Sequence, residues 1–189
     1  MGRPPLLCQP CTTLLDLADI RERCPRCFAK ADRRSCVRCV GNPSQLAAAA
    51  AALDYSGPAA TLIEKLKQGG QPYHARLLAS FMVVQWHRLG WPRPDLIVPV
   101  PQALSRRLQR GYNQSALLAT EFGHFLSSPT AQPLRVSFDT IVLRCRAAMT
   151  GKTILLIDDI MANGSALRQC ARALWPQQPA ALYGLTACG

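Results

Sequence analysis

The placement of the cysteines constrains this chain more than any other feature of its sequence. Six of the nine cysteines lie within the first 39 residues, in three C-x-x-C pairs: Cys8/Cys11, Cys24/Cys27 and Cys36/Cys39. Two sulfurs on such a tight turn can occupy two corners of one tetrahedral zinc site, so the pattern predicts an N-terminal, cysteine-rich zinc ribbon. Disulfides are an alternative, but no export signal supports them. Redox chemistry is another, but no convincing strand precedes any pair.

The spacing leaves open which four cysteines hold the ion. Cys24/Cys27 and Cys36/Cys39 are eight residues apart, a compact ribbon spacing, whereas Cys8/Cys11 precede Cys24 by twelve residues and can displace either pair. All six are candidate metal ligands, and one pair is spare or belongs to a second, incomplete site. Four thiolates around Zn²⁺ leave a charge of about −2. Nearby arginines offset this charge or, alternatively, contact nucleic acid: Arg23, Arg26, Arg33, Arg34 and Arg38.

Composition changes beyond Cys39, at a turn-forming stretch that ends at Ser44. We expect a domain boundary there, with a zinc-ribbon domain over 1-44 and a second domain over 45-189. The formal net charge of +11 and the pI near 9.7 indicate polyanionic partners such as phosphates or nucleic acid. No apolar run is long enough to span a membrane and no signal peptide is visible. We therefore expect a cytoplasmic protein without membrane insertion.

Helical and strand patterns alternate through the second domain. Apolar residues at helical spacing predict helices over 58–67, 73–89, 115–126 and 165–174. Short apolar runs predict strands over 95–101, 153–158 and 180–186. The alanine-rich run 46–53 is interpreted as a packed segment. Alternation of this kind predicts an α/β fold with a parallel sheet.

Two adjacent acids follow the clearest predicted strand. The order is four apolar residues, Asp158 and Asp159, a turn of small residues with Gly164, and then a helix. In parallel sheets, ligands bind beyond the carboxyl ends of the strands, and free N–H groups at a helix N-terminus bind anions. The acids can accept hydrogen bonds from sugar hydroxyls or hold Mg²⁺ through water. We therefore predict a ribose-phosphate site; the alternative is that the acids only cap the helix.

Several segments of the chain resemble the ComF family of bacterial proteins, which join a zinc ribbon to a type I phosphoribosyltransferase fold. The most specific match combines Asp95-Leu-Ile-Val-Pro-Val-Pro101 with Arg110-Gly-Tyr-Asn-Gln114. Less specific matches cover the last two cysteine pairs, the segments 53–58 and 155–159, and Leu66-Lys67. The resemblance covers most of the chain.

This resemblance implies a type I phosphoribosyltransferase-like parallel sheet and a set of residue roles. Asp158 and Asp159 would be the catalytic acids and would accept hydrogen bonds from the ribose hydroxyls of phosphoribosyl diphosphate. Backbone N–H groups would cradle the 5′-phosphate: Met161, Ala162, Asn163, Gly164 and Ser165. Cationic side chains would face the diphosphate and its Mg²⁺: Lys67, Arg106, Arg107 and Arg110.

The family's competence members act in DNA uptake, which implies single-stranded DNA and a competence helicase as partners. Two functions therefore stay open: phosphoribosyl transfer, in which a nucleophile displaces Mg-diphosphate from the sugar, and non-catalytic binding of DNA or a helicase. Ala162, Asn163 and Ala166 stand where the family usually has threonine. The segment 134–149 is also shorter than the family's flexible segment over the site, so turnover itself stays open.

Overall fold

The structure, a computed structural model, describes residues 7–30, 36–40, 44–68, 71–103, 111–138, 140–144 and 148–189. Two short helices lie in its N-terminal part: α1 (Gln9–Thr13) and α2 (Val37–Val40). The following elements run in the order β1 (Ala48–Leu53), α3 (Gly57–Lys67), α4 (His74–Leu89), β2 (Leu96–Pro99), α5 (Gln114–Leu126), β3 (Leu134–Ser137) and β4 (Thr140–Leu143). The chain then continues through β5 (Thr153–Ile160), α6 (Ser165–Leu174), a 3₁₀ turn (Trp175–Gln177) and β6 (Ala181–Cys188).

Four strands form one sheet in the order β1-β6-β5-β2, and every neighbouring pair is parallel. The register places Val98 of β2 opposite Leu156 of β5, and Leu155 of β5 opposite Tyr183 of β6. All four strands therefore end at the same edge of the sheet, where ligands bind in folds of this class. The predicted parallel α/β architecture is confirmed.

Both faces of the sheet are buried, as is usual for parallel strands. Helices α3, α4 and α5 cover one face, where Leu78 and Phe122 are buried in the same cluster as Leu155. Helix α6 and the antiparallel β3–β4 hairpin cover the other face, where Leu167 and Leu156 are buried together. None of the described helices combines the length and the apolar character that a membrane span requires.

Strand β1 is made of five alanines and Leu53, all of them buried. Alanine prefers helices, so the local sequence does not explain a strand here. Pairing with β6, from Ala48 opposite Tyr183 to Leu53 opposite Cys188, holds the segment extended. β1 is an edge strand, so its outer side is available to the N-terminal part of the chain.

The cysteine region, residues 7–30 and 36–40, packs along that outer side. Leu17 forms an antiparallel bridge with Leu53, and the Ala18 backbone N–H donates to the Ala52 carbonyl oxygen at 2.9 Å. The buried Gln85 amide of α4 donates to the Ala18 carbonyl oxygen, also at 2.9 Å. These contacts anchor the cysteine region to the sheet. The domain boundary near residue 44 stays a prediction.

Candidate functional site

Two carboxylates lie at the carboxyl end of β5. The strand continues through Asp158 and Asp159 to Ile160, two residues further than predicted. Asp158 Oδ1 accepts a hydrogen bond from the Asp159 backbone N–H at 3.0 Å, and Asp159 Oδ1 accepts one from the Ile160 backbone N–H at 2.8 Å. The N-cap of α6 is Gly164, so neither acid caps that helix. The acids are therefore held at the strand end itself.

A serine from the neighbouring helix contacts the first of these acids. Asn113 is the N-cap of α5: its Oδ1 accepts a hydrogen bond from the Ser115 backbone N–H at 3.0 Å, and its Nδ2 donates to the Val100 carbonyl oxygen at 3.0 Å. The cap positions Ser115, whose hydroxyl donates to Asp158 Oδ1 at 2.7 Å. Asn113 and Ser115 thus join the ends of β2 and β5.

The surroundings of Asp158 change its acidity. Burial, followed by the charge of Asp159, raises the pKa of Asp158 to about 7, although the Ser115 hydrogen bond favours the ionised form. Near neutral pH the Asp158 carboxyl therefore exists in both protonation states. A carboxyl poised in this way can accept hydrogen bonds or release a proton without a large cost.

The β5–α6 loop, residues 161–164, is the turn that the sequence predicted as a phosphate cradle. Two of the five predicted backbone donors already have partners: the Met161 N–H donates to the Cys188 carbonyl oxygen at 2.8 Å, and the Ser165 N–H donates to Asn163 Oδ1 at 3.0 Å. Within the described residues, the N–H groups of 162–164 have no partner. Gly164 has φ of +70°, a conformation that glycine adopts at little cost.

Arg168 supports this loop from the first turn of α6. Its Nη1 donates to the Asn163 carbonyl oxygen at 2.9 Å. The contact fixes the loop and brings a permanent positive charge beside it. Loop N–H groups, a glycine and an arginine together form an arrangement suited to an anion.

The predicted diphosphate cations are only partly described. Arg106, Arg107 and Arg110 lie outside the described residues. Lys67 lies at the end of α3, where its Nζ donates to Glu64 Oε1 at 3.4 Å and lies 5.9 Å from the centre of the Tyr55 ring. The Tyr55 hydroxyl donates to the same Glu64 oxygen at 2.8 Å. Lys67 therefore belongs to a polar cluster beside the carboxyl end of β1.

Four cysteine sulfurs come together in the cysteine region. The sulfur atoms of the second and third pairs all lie within 4.8 Å of one another: Cys24, Cys27, Cys36 and Cys39. The Sγ atoms of Cys24 and Cys39 are 3.7 Å apart, and those of Cys27 and Cys36 are 3.5 Å apart. A zinc ion with Zn–S bonds of about 2.3 Å requires S–S separations of roughly 3.8 Å. One zinc ion thus fits these four sulfurs.

The first cysteine pair is separate from that group. Cys8 is the N-cap residue of α1, and Cys11 lies inside this helix. Among the described residues, neither belongs to a group of side chains close enough together to hold a metal ion. Both are free thiols. The structure therefore distinguishes a set of four from a remaining pair, a choice that spacing alone left open.

A cavity of about 1060 Å³ lies between the cysteine region and the β5–α6 loop. We call it the interface cavity. Its lining includes residues 161–164 on one side and cationic residues of the cysteine region on the other: Arg23, Arg26, Lys30 and Arg38. Arg168 lines it as well. The carboxylates of Asp158 and Asp159 are not part of the lining, so the cavity extends the predicted site on the cysteine side of the loop.

Sequence reasoning missed two contributors to this site. Ser115 was predicted only as the start of a helix, and its distance of 43 residues from Asp158 in the chain left no local signal. Arg168 lies inside a predicted helix, where an arginine is usually a solvated surface residue. Its spacing of four residues from Gly164, one helical turn, is a signal that could have placed it over the loop.

Comparison with known proteins finds relatives named for DNA utilisation. The chain is 28% identical over 181 residues to "DNA utilization protein YhgH" of Salmonella typhi, covering 82% of this chain and 80% of the relative. It is 27% identical over 192 residues to the Escherichia coli K12 protein of the same name, covering 87% and 83%. Similarity to "Competence protein F" of Haemophilus influenzae is 25% over 148 residues, covering 64% and 63%. No family model matches the chain.

Solved structures similar to this chain include phosphoribosyltransferases. A purine phosphoribosyltransferase from Pyrococcus horikoshii is 13% identical with a TM-score of 0.45, over 62% of this chain and 73% of that one. The hypoxanthine phosphoribosyltransferase of Trypanosoma cruzi is 16% identical with a TM-score of 0.39, over 66% of each chain. The match therefore spans slightly less than two thirds of the Trypanosoma enzyme.

Proposed function

We propose that the chain is a ComF-like protein of phosphoribosyltransferase type that binds phosphoribosyl diphosphate with Mg²⁺ at the end of β5. The observation that carries this proposal is the joining of three elements at one sheet edge. Asp158 and Asp159 supply acceptors, the N–H groups of 162–164 supply donors, and Arg168 supplies a fixed charge. A phosphorylated ribose needs acceptors for its hydroxyls and donors for its phosphate, in that order along the ligand.

The three loop N–H groups are the proposed donors to the 5′-phosphate. Met161 and Ser165, which the resemblance also implied, use their N–H groups inside the protein and would act by shaping the loop. Because Ala162 has no hydroxyl, the backbone supplies most of the hydrogen bonds to the phosphate. Asn163 is already oriented by the Ser165 N–H.

Magnesium would accompany the diphosphate rather than occupy a cage of protein oxygens, since Mg²⁺ usually keeps several waters beside substrate phosphates. Asp158 and Asp159 are the described groups suited to water-mediated contact with it. When bound, the ion would neutralise the leaving diphosphate. Lys67, Arg106, Arg107 and Arg110 remain the proposed diphosphate contacts.

The names of the relatives support a role in DNA uptake or utilisation. Three observations agree with that context: the net charge of +11, the four-cysteine cluster and the basic lining of the interface cavity. They also favour a second candidate function, in which a zinc ribbon binds single-stranded DNA or a competence helicase and the sugar-phosphate site does not turn over. DNA binding of this kind weakens steeply with salt.

Calorimetric titration of the zinc-loaded protein with phosphoribosyl diphosphate and Mg²⁺ tests the first function. We expect binding by the parent protein and its loss in Asp158→Asn/Asp159→Asn. The exposed pair Asp16→Asn/Asp19→Asn changes charge by the same amount away from the site and should bind like the parent. An absence of binding at millimolar ligand would refute the sugar-phosphate function and leave the DNA-binding function as the one to pursue.

Turnover is a separate measurement on the same samples. Release of diphosphate in the presence of candidate acceptors reports transfer, whereas binding without release identifies a non-catalytic ligand site. Salt dependence of oligonucleotide binding then distinguishes the second function from non-specific attraction to a basic protein.

A further inference from the structure

We propose that the interface cavity binds the phosphate group of a second ligand, a nucleotide unit, through Arg26 and Arg38. We call these two residues the knuckle arginines. The inference rests on the proposed function in one respect: phosphoribosyl diphosphate would occupy the β5–α6 loop, and the nucleotide unit would bind on the opposite wall of the cavity, which the cysteine region forms. It names the chemical class of the acceptor or partner, which the site described above leaves open.

The knuckle arginines occupy equivalent positions in two cysteine pairs. Arg26 is the third residue of Cys24-Pro-Arg-Cys27, and Arg38 is the third residue of Cys36-Val-Arg-Cys39. Both pairs belong to the four-sulfur cluster, and both arginines are exposed and line the interface cavity. An ion that binds the four sulfurs therefore fixes the backbone beside both guanidinium groups.

The wall that carries these arginines is fixed against the sheet. The Ala49 backbone N–H of β1 donates to the Arg26 carbonyl oxygen at 2.8 Å. Phe28 is buried, and Arg23 forms an ion pair with Asp54 at the end of β1. These contacts fix the backbone of the wall at Arg26, so the wall itself need not rearrange when an anion binds, and the entropy lost is that of the exposed arginine side chains.

The charge of the lining favours a phosphate. Besides the knuckle arginines, Lys30 and Arg168 contribute positive charges. Asp54 is the acidic residue of the lining, and Arg23 neutralises it. Guanidinium groups bind phosphate oxygens with two parallel hydrogen bonds, which gives both strength and orientation.

The size and the aromatic content of the cavity favour a nucleotide over an inorganic ion. A volume of about 1060 Å³ is at the upper end of the range for pockets that hold drug-sized molecules. Tyr55 lines the cavity and is 42% exposed, and bases stack on tyrosine rings. A nucleotide unit offers both a phosphate for the arginines and a base for Tyr55. It can come from a free mononucleotide or from a nucleic acid strand.

A competing explanation is that the arginines only balance the charge of the metal–thiolate cluster. The two explanations predict different losses. Charge balance alone predicts that removing the arginines lowers metal affinity and leaves ligand affinity unchanged. Phosphate recognition predicts the reverse, provided that the metal is retained.

The test uses the zinc-loaded full chain and the variant Arg26→Gln/Arg38→Gln, with Arg135→Gln as the control. Arg135 is an exposed arginine of β3 outside the cavity lining. The probes are thymidine 5′-monophosphate, thymidine and a short oligothymidylate, with zinc content measured for each sample. We expect about a tenfold loss of affinity per arginine for the two phosphorylated probes and no change in the Arg135 variant.

The source of the ligand follows from the probes. Equal affinity of the site for thymidine 5′-monophosphate and for the oligothymidylate indicates that a free nucleotide is the ligand. Binding of the oligothymidylate alone indicates a nucleic acid strand. Both results support the phosphate site. The phosphate site would be overturned by equal losses of probe affinity in the knuckle-arginine variant and the Arg135 variant. It would also be overturned if neither phosphorylated probe binds the parent protein. If the Gln variant loses zinc, Arg26→Lys/Arg38→Lys replaces it, because lysine keeps the charge but not the bidentate geometry.

Phosphoribosyl diphosphate is titrated in parallel. Loss of nucleotide binding with unchanged phosphoribosyl diphosphate binding supports two separate subsites. Nucleotide binding that depends on the arginines in a parent protein that does not bind phosphoribosyl diphosphate would refute the proposed function and keep this inference.

Discussion

The sheet and the cysteine region meet along β1, yet different forces stabilise them. In the sheet, apolar side chains are buried on both faces, and the strands and helices form two continuous clusters. In the described part of the cysteine region, few apolar residues are buried: Leu15, Ala18, Cys24 and Phe28. We expect a region with so small a core to depend for a fixed structure on a metal bound by its four cysteines and on its contacts with β1. An irregular segment held against a sheet in this way forms one wall of the interface cavity.

Metal removal should affect the two regions most differently. Structural zinc sites supply about 10 kcal/mol or more of folding free energy to small domains. We expect Cys24→Ser/Cys36→Ser, or treatment with a chelator, to abolish amide protection in residues 7–30 and 36–40 while α4 and β5 stay protected in hydrogen exchange. The Cys8→Ser/Cys11→Ser variant should keep the metal. Loss of protection throughout the sheet would contradict the view that the sheet is stable by itself.

A large-to-small substitution in the sheet core should instead destabilise the sheet and leave the metal site of the cysteine region unchanged. Leu78 of α4 is fully buried. Replacing it in Leu78→Ala should lower the free energy of unfolding by about 2–5 kcal/mol, through lost apolar burial and an unfilled space. Urea denaturation measures the loss, and zinc content should not change. The control is Leu14→Ala, at a position that is 67% exposed, where little change is expected.

The raised pKa of Asp158, in the sheet, predicts that the free energy of unfolding depends on pH. The folded state holds this proton up to about pH 7, whereas the ordinary value is 3.8. Between these values the folded protein binds more protons, so the free energy of unfolding falls as pH rises and levels off above the folded pKa. Because the Asp158 side chain is only half-buried and solvent screens its charge, the fall should be about 1–2 kcal/mol, less than the full pKa shift implies.

Asp158→Asn should remove this dependence, and stability measured at a series of pH values checks it. Because ribose hydroxyls donate to the ionised carboxylate, affinity for phosphoribosyl diphosphate in the parent should increase as pH rises through 7. A parent protein that becomes more stable over the same interval would show that the sign is wrong.

The smallest effect should come from the loop. Gly164 has φ of +70°, and a Cβ there would lie 3.2 Å from Arg168 Nη1. Gly164→Ala should cost about 1 kcal/mol of stability through backbone strain, and it should weaken sugar-phosphate binding because the loop shifts. Ala162→Gly, at an exposed position of the same loop, is the matched change. Equal effects of the two variants on binding would show that loop geometry is not critical.

The elements of the sheet were largely predictable from sequence because their patterns are local. The helix predicted over 165–174 is observed as Ser165–Leu174, and that predicted over 58–67 as Gly57–Lys67. Strand β1 and the β3–β4 hairpin were not assigned. A strand of five alanines and one leucine carries no β-branched or aromatic residue, so only its pairing with β6 reveals it.

The site was predictable where its residues are contiguous. The strand, the two acids and the glycine turn of 153–164 are arranged along the chain as expected, although their ligand stays a prediction. The Ser115–Asp158 contact and the interface cavity depend on segments that are distant in sequence. Choosing four cysteines among six also required their positions in space. The gap of twelve residues between the first and second pairs and the gap of eight between the second and third are both compatible with a zinc ribbon.

The packing of the cysteine region on β1 has a consequence for solubility. An edge strand presents unpaired backbone groups that can recruit a strand from another molecule. Here residues 17–18 and Arg26 occupy that side of a strand that consists of five alanines and Leu53 and carries no charged side chain. Loss of the metal would uncover it. A zinc ion bound by the four cysteines would therefore limit self-association through β1, although none of its ligands lies on that strand.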